Sequence, residues 1–246
     1  MSVFNSLPPK INQKYLLKWL KENYIFLKDK SILIKPLNSE RDKNFIINID
    51  SKNKYVLKIS NCEETKDLLD LQDYVLNNLN KRNSIKKYVP KTKHRSIKTF
   101  LDLDNRICFV RILTFIEGRM YASVDHNSEL ENSLGNLLGN LSKELQSINK
   151  PSAFRKFEWD PSKLEWINKE VYMFSGRKKE IILKNLKDHN IFVKKNIKNL
   201  RCSLTHGDLN NYNLVVCENK VSGILDYGDM IFAPTINDLA ITLSYA

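Results

Sequence analysis

The sequence predicts an α+β fold in two parts, an antiparallel sheet carrying one helix and then a mainly helical region. Three observations predict it. Short runs of β-patterned residues crowd the first part of the chain and are interrupted by a single helical period. Turn residues separate these runs at Asp50-Ser51-Lys52-Asn53 and at Asp104-Asn105, which makes adjacent strands antiparallel hairpins. After Gly118 the apolar spacing turns helical, so the expected division is residues 1–115 and 116–246.

Each element follows from its pattern. Ile11, Tyr15, Leu16, Trp19 and Leu20 share one face of a helix. Strands are expected at Ile32–Leu37, 45–50 and 55–60, the last two joined by the first turn. Leu68, Leu69, Gln72, Val75, Leu76 and Leu79 then mark one face of a second helix, and strands at 97–103 and 106–115 flank Asp104-Asn105. Further on, residues 129–148 form a strong helix, Pro161 can open another in its first turn, and 180–199 give a third with a basic outer face. A strand ends near residue 205, two more follow at Leu214–Cys217 and 221–225, and residues 235–246 are helical. That last helix stops on an apolar run without a cap, so the chain is expected to be truncated at its C-terminus and its helical part incomplete.

Composition narrows the function. Hydrophobic residues at 42% and charged residues at 28% are those of a globular chain and exclude a disordered one. The net charge of +12 favours an anionic partner or a Lys-rich solvated surface. The densest basic stretches, 81–98 and 177–198, lack the interleaved aromatics that stack on single strands, so no nucleic acid is expected. No apolar run is long enough to span a membrane, and residues 1–15 carry no signal-peptide pattern. Cys62, Cys108, Cys202 and Cys217 lie far apart without zinc spacing, which fits free thiols in a reducing cytoplasm.

The chemistry concentrates in two adjacent segments. Residues 204–214 read LTHGDLNNYNL, a loop with His206, Asp208 and Asn213 between two strands. Residues 223–229 read GILDYGD and place Asp226 directly after a buried strand. Two acids and an amide on neighbouring loops can hold Mg²⁺, a hard cation that needs few protein ligands when phosphates supply the others.

Together, H-G-D-L-x-x-x-N and D-x-G-D resemble the aminoglycoside phosphotransferase and choline kinase superfamily, distant relatives of protein kinases. The resemblance implies a two-lobed protein-kinase-like fold that binds ATP and Mg²⁺. Carried onto this chain, it makes Asp208 the catalytic base and Asn213 and Asp226 the metal ligands. His206 is expected to support its loop by hydrogen bonding, and Asp229 to brace the loop or face the substrate. Lys58, flanked by apolar residues on its strand, resembles the lysine that meets the α- and β-phosphates; the sequence leaves its helical partner open, since Glu63 and Glu64 lie too close and Gln72, if it fills that place, offers a neutral hydrogen bond. The phosphate-covering loop is then residues 37–44, without the usual glycines, where Ser39 and Asn44 offer turns and donors. Residues 113–118 would be the hinge whose backbone meets adenine, through Thr114 and Ile116.

The text S-E-R-D-x-N-F at residues 39–45 and the N-D-L-A at 237–240 are similar to the hydroxylysine-kinase-like branch. That branch implies phosphate transfer to the hydroxyl of a small amine or amino acid: hydroxylysine first, then homoserine, choline or ethanolamine. Such domains also occur fused to class III aminotransferases, so a fused or partner aminotransferase is implied as well. Two other classes stand beside this reading. A catalytically inactive nucleotide-binding or interaction protein would bind ATP without turnover, and a basic nucleic-acid binder would show steep salt dependence.

Overall fold

The computed structural model describes residues 7–51, 53–94 and 96–246; residues 1–6, Lys52 of the expected first turn and Arg95 lie outside it. Two compact units result. One comprises the described residues up to Lys81 together with Val89–Glu117, the other Arg82–Tyr88 together with Gly118–Ala246.

The first unit is built on a five-stranded sheet of order β1-β2-β3-β5-β4, every pair antiparallel. Its strands are β1 (Ile32–Leu37), β2 (Lys43–Ile49), β3 (Asn53–Ile59), β4 (Lys98–Leu101) and β5 (Ile107–Thr114). Alternation along the strands sends Ile34, Phe45, Ile47, Leu57, Ile59, Val110 and Ile112 to one face. There they meet Leu16 and Leu20 of α1 (Gln13–Asn23), together with Tyr24 and Leu27. Each buried Leu or Ile contributes roughly 1.5–3 kcal/mol, so a one-residue slip of any strand would cost far more than a strand hydrogen bond returns. Pro36 is tolerated because β1 is an edge strand. Asn12 caps α1 by accepting from the Tyr15 N–H at 3.1 Å.

The opposite sheet face carries Asn44, Lys58 and Arg111, which the register aligns in one row across β2, β3 and β5. Helix α2 (Lys66–Leu79), capped by Thr65, is tied to this face through Arg111. The second hairpin is shorter at β4 than its sequence pattern. Asp102 turns the chain at Leu101 by accepting from the N–H groups of Asp104 and Arg106, each at 2.9 Å.

In the second unit, α3 (Ser128–Leu145) begins at the Asn127 cap and buries Leu130, Leu134, Leu137, Leu141 and Leu145. Before it, a two-residue strand β6 (Arg119–Met120) pairs with β8 (Leu214–Cys217), which forms a hairpin with β9 (Lys220–Ile224). Separately, β7 (Cys202–Thr205) pairs with β10 (Ile231–Pro234), and α7 (Ile236–Leu243) follows.

Pro161 does not open a helix. Asp160 Oδ1 accepts from the Ser162 N–H and hydroxyl, at 3.0 and 2.6 Å, as a helix cap would, but the chain makes only a single turn there, with the Lys163 N–H on the Asp160 carbonyl at 2.9 Å. Only a short α4 (Ile167–Glu170) forms in that region. The single helix expected over 180–199 is instead α5 (Gly176–Asp188), a π turn at His189–Val193, α6 (Lys194–Asn196) and a 3₁₀ turn at Ile197–Asn199. His, Asn, Ile, Phe and Val are all weak helix formers, and the regular helix gives way where they are consecutive. Strands β6 and β10 were not expected.

Helix α7 inverts the usual pattern. It buries Asn237, Asp238 and Thr242, while Ile236, Leu239 and Leu243 are exposed. Among the described residues, no helix is long and apolar enough to cross a membrane.

Candidate active site

The second unit assembles its polar loop around two buried groups, His206 and Asp238. Strand β7 delivers His206 into the interior, where it is fully buried. The carbonyl of Leu225 accepts from His206 Nε2 at 2.9 Å, so Nε2 carries the proton, and Nδ1 accepts from the Asp208 N–H at 3.3 Å. A neutral imidazole thus joins the loop bearing Asp208 to the strand end bearing Asp226. Its ring also meets Tyr227 edge-on, centroids 4.8 Å apart.

Asp238, from α7, accepts from the N–H groups of His206 and Gly207, both at 2.9 Å. Burial pushes its carboxyl up to about 6, against the downward pull of those two N–H groups. Composition and periodicity did not assign it a role. The signal was there: a carboxylate one residue from Leu239, in the helical run after β10, at a position that shares a face with Thr242.

Gly207 is required by space and by backbone. Its φ is +81°, and a Cβ there would lie 2.2 Å from the Asp229 carbonyl oxygen. The absent side chain lets the second loop close directly onto the first. Arg155 braces that second loop, donating to the carbonyls of Gly228 at 3.1 Å and Met230 at 3.3 Å. Asp226 itself stands in the left-handed region at φ +53°, uncommon for a residue with a Cβ, and its carboxylate belongs to an exposed residue.

Asp208 is half-buried and held on both oxygens. Asn210 Nδ2 donates to Oδ1 at 2.8 Å, and Asn213 Nδ2 donates to Oδ2 at 2.7 Å. Burial pushes its pKa up to about 6, with the Asp229 and Asp226 carboxylates adding to the rise and the two amides opposing it. A half-buried carboxylate near two others is a base within reach of neutral pH and a place where a cation is favoured. With Nδ2 of Asn213 committed to Asp208, its Oδ1 is the atom left to a hard cation. Asp226 supplies a carboxylate from the neighbouring loop, and the donor set suits Mg²⁺. The loops are also joined directly, Leu225 N–H to the Asn213 carbonyl at 2.8 Å.

In the first unit, Asn44 and Lys58 are direct partners across β2 and β3. Asn44 Oδ1 is buried and has no hydrogen-bond partner, as a side chain that awaits a donor would be. Ser39 lies in the loop after β1 and donates to the Asp42 carbonyl at 2.7 Å. Asn61 ties this loop to the end of β3: its N–H reaches Asp42 Oδ1 at 2.9 Å and its Nδ2 the Arg41 carbonyl at 3.2 Å. Thus hydrogen bonds give this loop the shape that glycines would otherwise allow. At the end of β5, Thr114 is engaged by Lys91, which accepts from its N–H at 2.9 Å and donates to its hydroxyl at 2.8 Å. Ile116 follows, half-buried, in a segment pinned by the Lys54–Glu117 ion pair at 2.8 Å.

Gln72 is taken by a different cation: its side-chain oxygen accepts from Arg111 Nη2 at 2.5 Å, so α2 grips β5 through Arg111. Asp73 joins the same guanidinium at 3.1 Å. A buried Arg has five donors to satisfy and outcompetes a lysine for them.

A separate cluster, Cys62, Asp102 and Cys108, presents ligand atoms within 4.8 Å of one another. Its carboxylate already accepts from Arg106 Nε and Nη2 and from backbone N–H groups, so it is poorly suited to a metal.

Comparison with known proteins identifies the family. The model of a family described as "Phosphotransferase enzyme family" matches residues 33–246. Hydroxylysine kinase of Bos taurus is 29% identical over 239 residues, covering 86% of this chain and 64% of that protein. Hydroxylysine kinase of Xenopus laevis is 30% identical over 246 residues, covering 88% and 65%. The chain therefore spans slightly less than two thirds of the curated relatives it matches. Among solved structures, a microcompartment-associated aminopropanol kinase superposes with a TM-score of 0.67 at 16% identity, over 94% of this chain and 74% of that one. Amicoumacin kinase hAmiN, in complex with AMP-PNP, Ca²⁺ and Ami, gives 0.64 at 16% identity, over 95% and 71%. At such identity the likeness is one of fold: α+β, with an antiparallel sheet followed by a helical region.

Proposed function

Because the chain belongs to the phosphotransferase enzyme family, we propose that it transfers the γ-phosphate of ATP to the hydroxyl of a small amine or amino acid. The observation that carries this reading is Asp208, half-buried, held on each oxygen by an asparagine amide and raised to about 6.

In this reading Asp208 is the base. It accepts the acceptor's hydroxyl proton as that oxygen bonds to the γ-phosphorus and the bond to the β-phosphate oxygen breaks. Asn210 and Asn213 keep the carboxylate aimed, since each fixes one of its oxygens. Asn213 Oδ1 and Asp226 would hold Mg²⁺, which when bound neutralises charge on the transferring phosphates. Lys58 meets the α- and β-phosphates, and the Asn44 side chain beside it orients a phosphate-facing donor or the nucleotide's hydroxyls. Ser39 shapes the loop above them. Adenine takes backbone groups of the segment after Thr114, around Ile116, since the Thr114 N–H is already engaged by Lys91.

Hydroxylysine is the first acceptor to test, because four relatives are hydroxylysine kinases by name. Homoserine, choline and ethanolamine come next. The test is acceptor-dependent ADP release by the purified chain with Mg-ATP across these compounds, beside Asp208→Asn. Release that depends on one acceptor and disappears in the variant supports the reading. Nucleotide binding without release to any acceptor would favour an inactive nucleotide-binding protein.

A further inference from the structure

Lys58 and Arg111 face each other across β3 and β5. Direct partners in an antiparallel pair leave the same face of the sheet with Cβ atoms about 5 Å apart, and like charges so placed repel. Such a pair survives when one member is neutralised in place. Arg111 is that member: it is 6% exposed, with Nη1 on Asp73 at 3.1 Å and Nη2 on Gln72 at 2.5 Å.

Both acceptors sit on consecutive residues of α2. The planar guanidinium can reach the two at once from a fixed strand position, which a lysine ammonium cannot do. Gln72 is itself buried, and Asp73 nearly so. Removing the guanidinium would leave a buried carboxylate and a buried amide without it, facing Lys58 as the next cation along the row.

We propose that Arg111 is a positioning residue for Lys58: by occupying Gln72 and Asp73 of α2 it denies them to Lys58 and so keeps the lysine ammonium from turning onto the helix and away from the phosphates of the nucleotide. The proposal rests on the reading of Lys58 as a phosphate ligand. In protein kinases a helical glutamate pairs with the strand lysine directly. Here Gln72 and Asp73 of the helix hold an arginine one strand away from the lysine.

The test is a double-mutant cycle on binding of AMP-PNP with Mg²⁺, followed by calorimetry on the chain itself. Arg111→Met is expected to weaken binding about tenfold, the scale of coupling between adjacent groups. Lys58→Met weakens it as well, and Arg111→Met adds nothing further once Lys58 is gone. A scaffold role alone would give affinity losses that add in the double variant, whatever the change in melting temperature, and that would overturn the proposal. Arg111→Lys, which keeps the charge and loses the fork, serves as the second arm if Arg111→Met does not fold; its loss must likewise vanish in the Lys58→Met background. Wild-type chain that binds no AMP-PNP removes the phosphate reading and this proposal with it, whereas binding with additive losses removes the role of Arg111 only.

Discussion

Asn213 donates twice to Asp208 through one amide nitrogen, to Oδ2 at 2.7 Å and to the main-chain carbonyl at 2.8 Å. The five-residue separation between them closes as a ring, with the Asn213 N–H bonded back to the Asn210 carbonyl at 3.1 Å. Replacing Asp208 by Asn removes the base and leaves one acceptor oxygen for two amide donors. Turnover is expected to fall about 10²–10⁴-fold, the usual worth of a positioned general base, and the melting temperature to fall modestly with the lost acceptor. Single-turnover product formation beside a thermal scan checks both parts.

Gly207 and Gly228 should respond differently to the same change. Alanine at 207 meets both an unfavourable φ, worth about 1–2 kcal/mol, and a carbonyl 2.2 Å from its Cβ. At 228 the added Cβ comes within 3.3 Å of Asp226 Oδ1, a side-chain atom that can give way. Gly207→Ala is expected to destabilise strongly and abolish turnover, and Gly228→Ala to cost much less in urea unfolding. Equal effects would show that the close approach of Asp229 to Gly207 does not matter.

Asp238→Ala strips the acceptor from two backbone N–H groups in a buried place. Each unsatisfied donor costs about 1–3 kcal/mol, so the variant is expected to lose several kcal/mol in urea and to lose activity with it. Asp238→Asn retains one acceptor oxygen and should fall between the two.

A pH dependence follows from Asp102. Burial pushes its carboxyl up, but the Arg106 side chain and the N–H groups of Arg106, Asp104 and Lys10 pull harder, and the net value is below the ordinary one. A depressed carboxyl pKa stabilises the fold above the unfolded value of about 4, and that stability disappears as pH falls through the lower native value. The gap in urea midpoint between the wild type and Asp102→Asn is therefore expected to be widest near neutral pH and to narrow below about pH 4. A constant gap across that range would contradict it.

Much of this was legible in the sequence because it rests on local rules. The strands of the first unit follow apolar alternation. The loop of Asp208 and Asn213 was visible as a motif. What escaped depends on distant partners. Nothing near Arg111 in the chain says that it will meet Gln72, 39 residues away. Likewise Asp238 finds His206 across 32 residues, and Arg155 finds Gly228 across 73. The Pro161 helix shows the limit of local signals: Asp160 meets Ser162 as a cap would, yet the next helix begins only at Ile167.

The most direct test of the central claim is phosphorus NMR of a mixture of the chain, Mg-ATP and hydroxylysine. The account expects a new phosphate-monoester resonance that grows as the γ-phosphate signal falls, and neither change with Asp208→Asn. No ester with hydroxylysine, homoserine, choline or ethanolamine, from a folded chain that binds nucleotide, would contradict it.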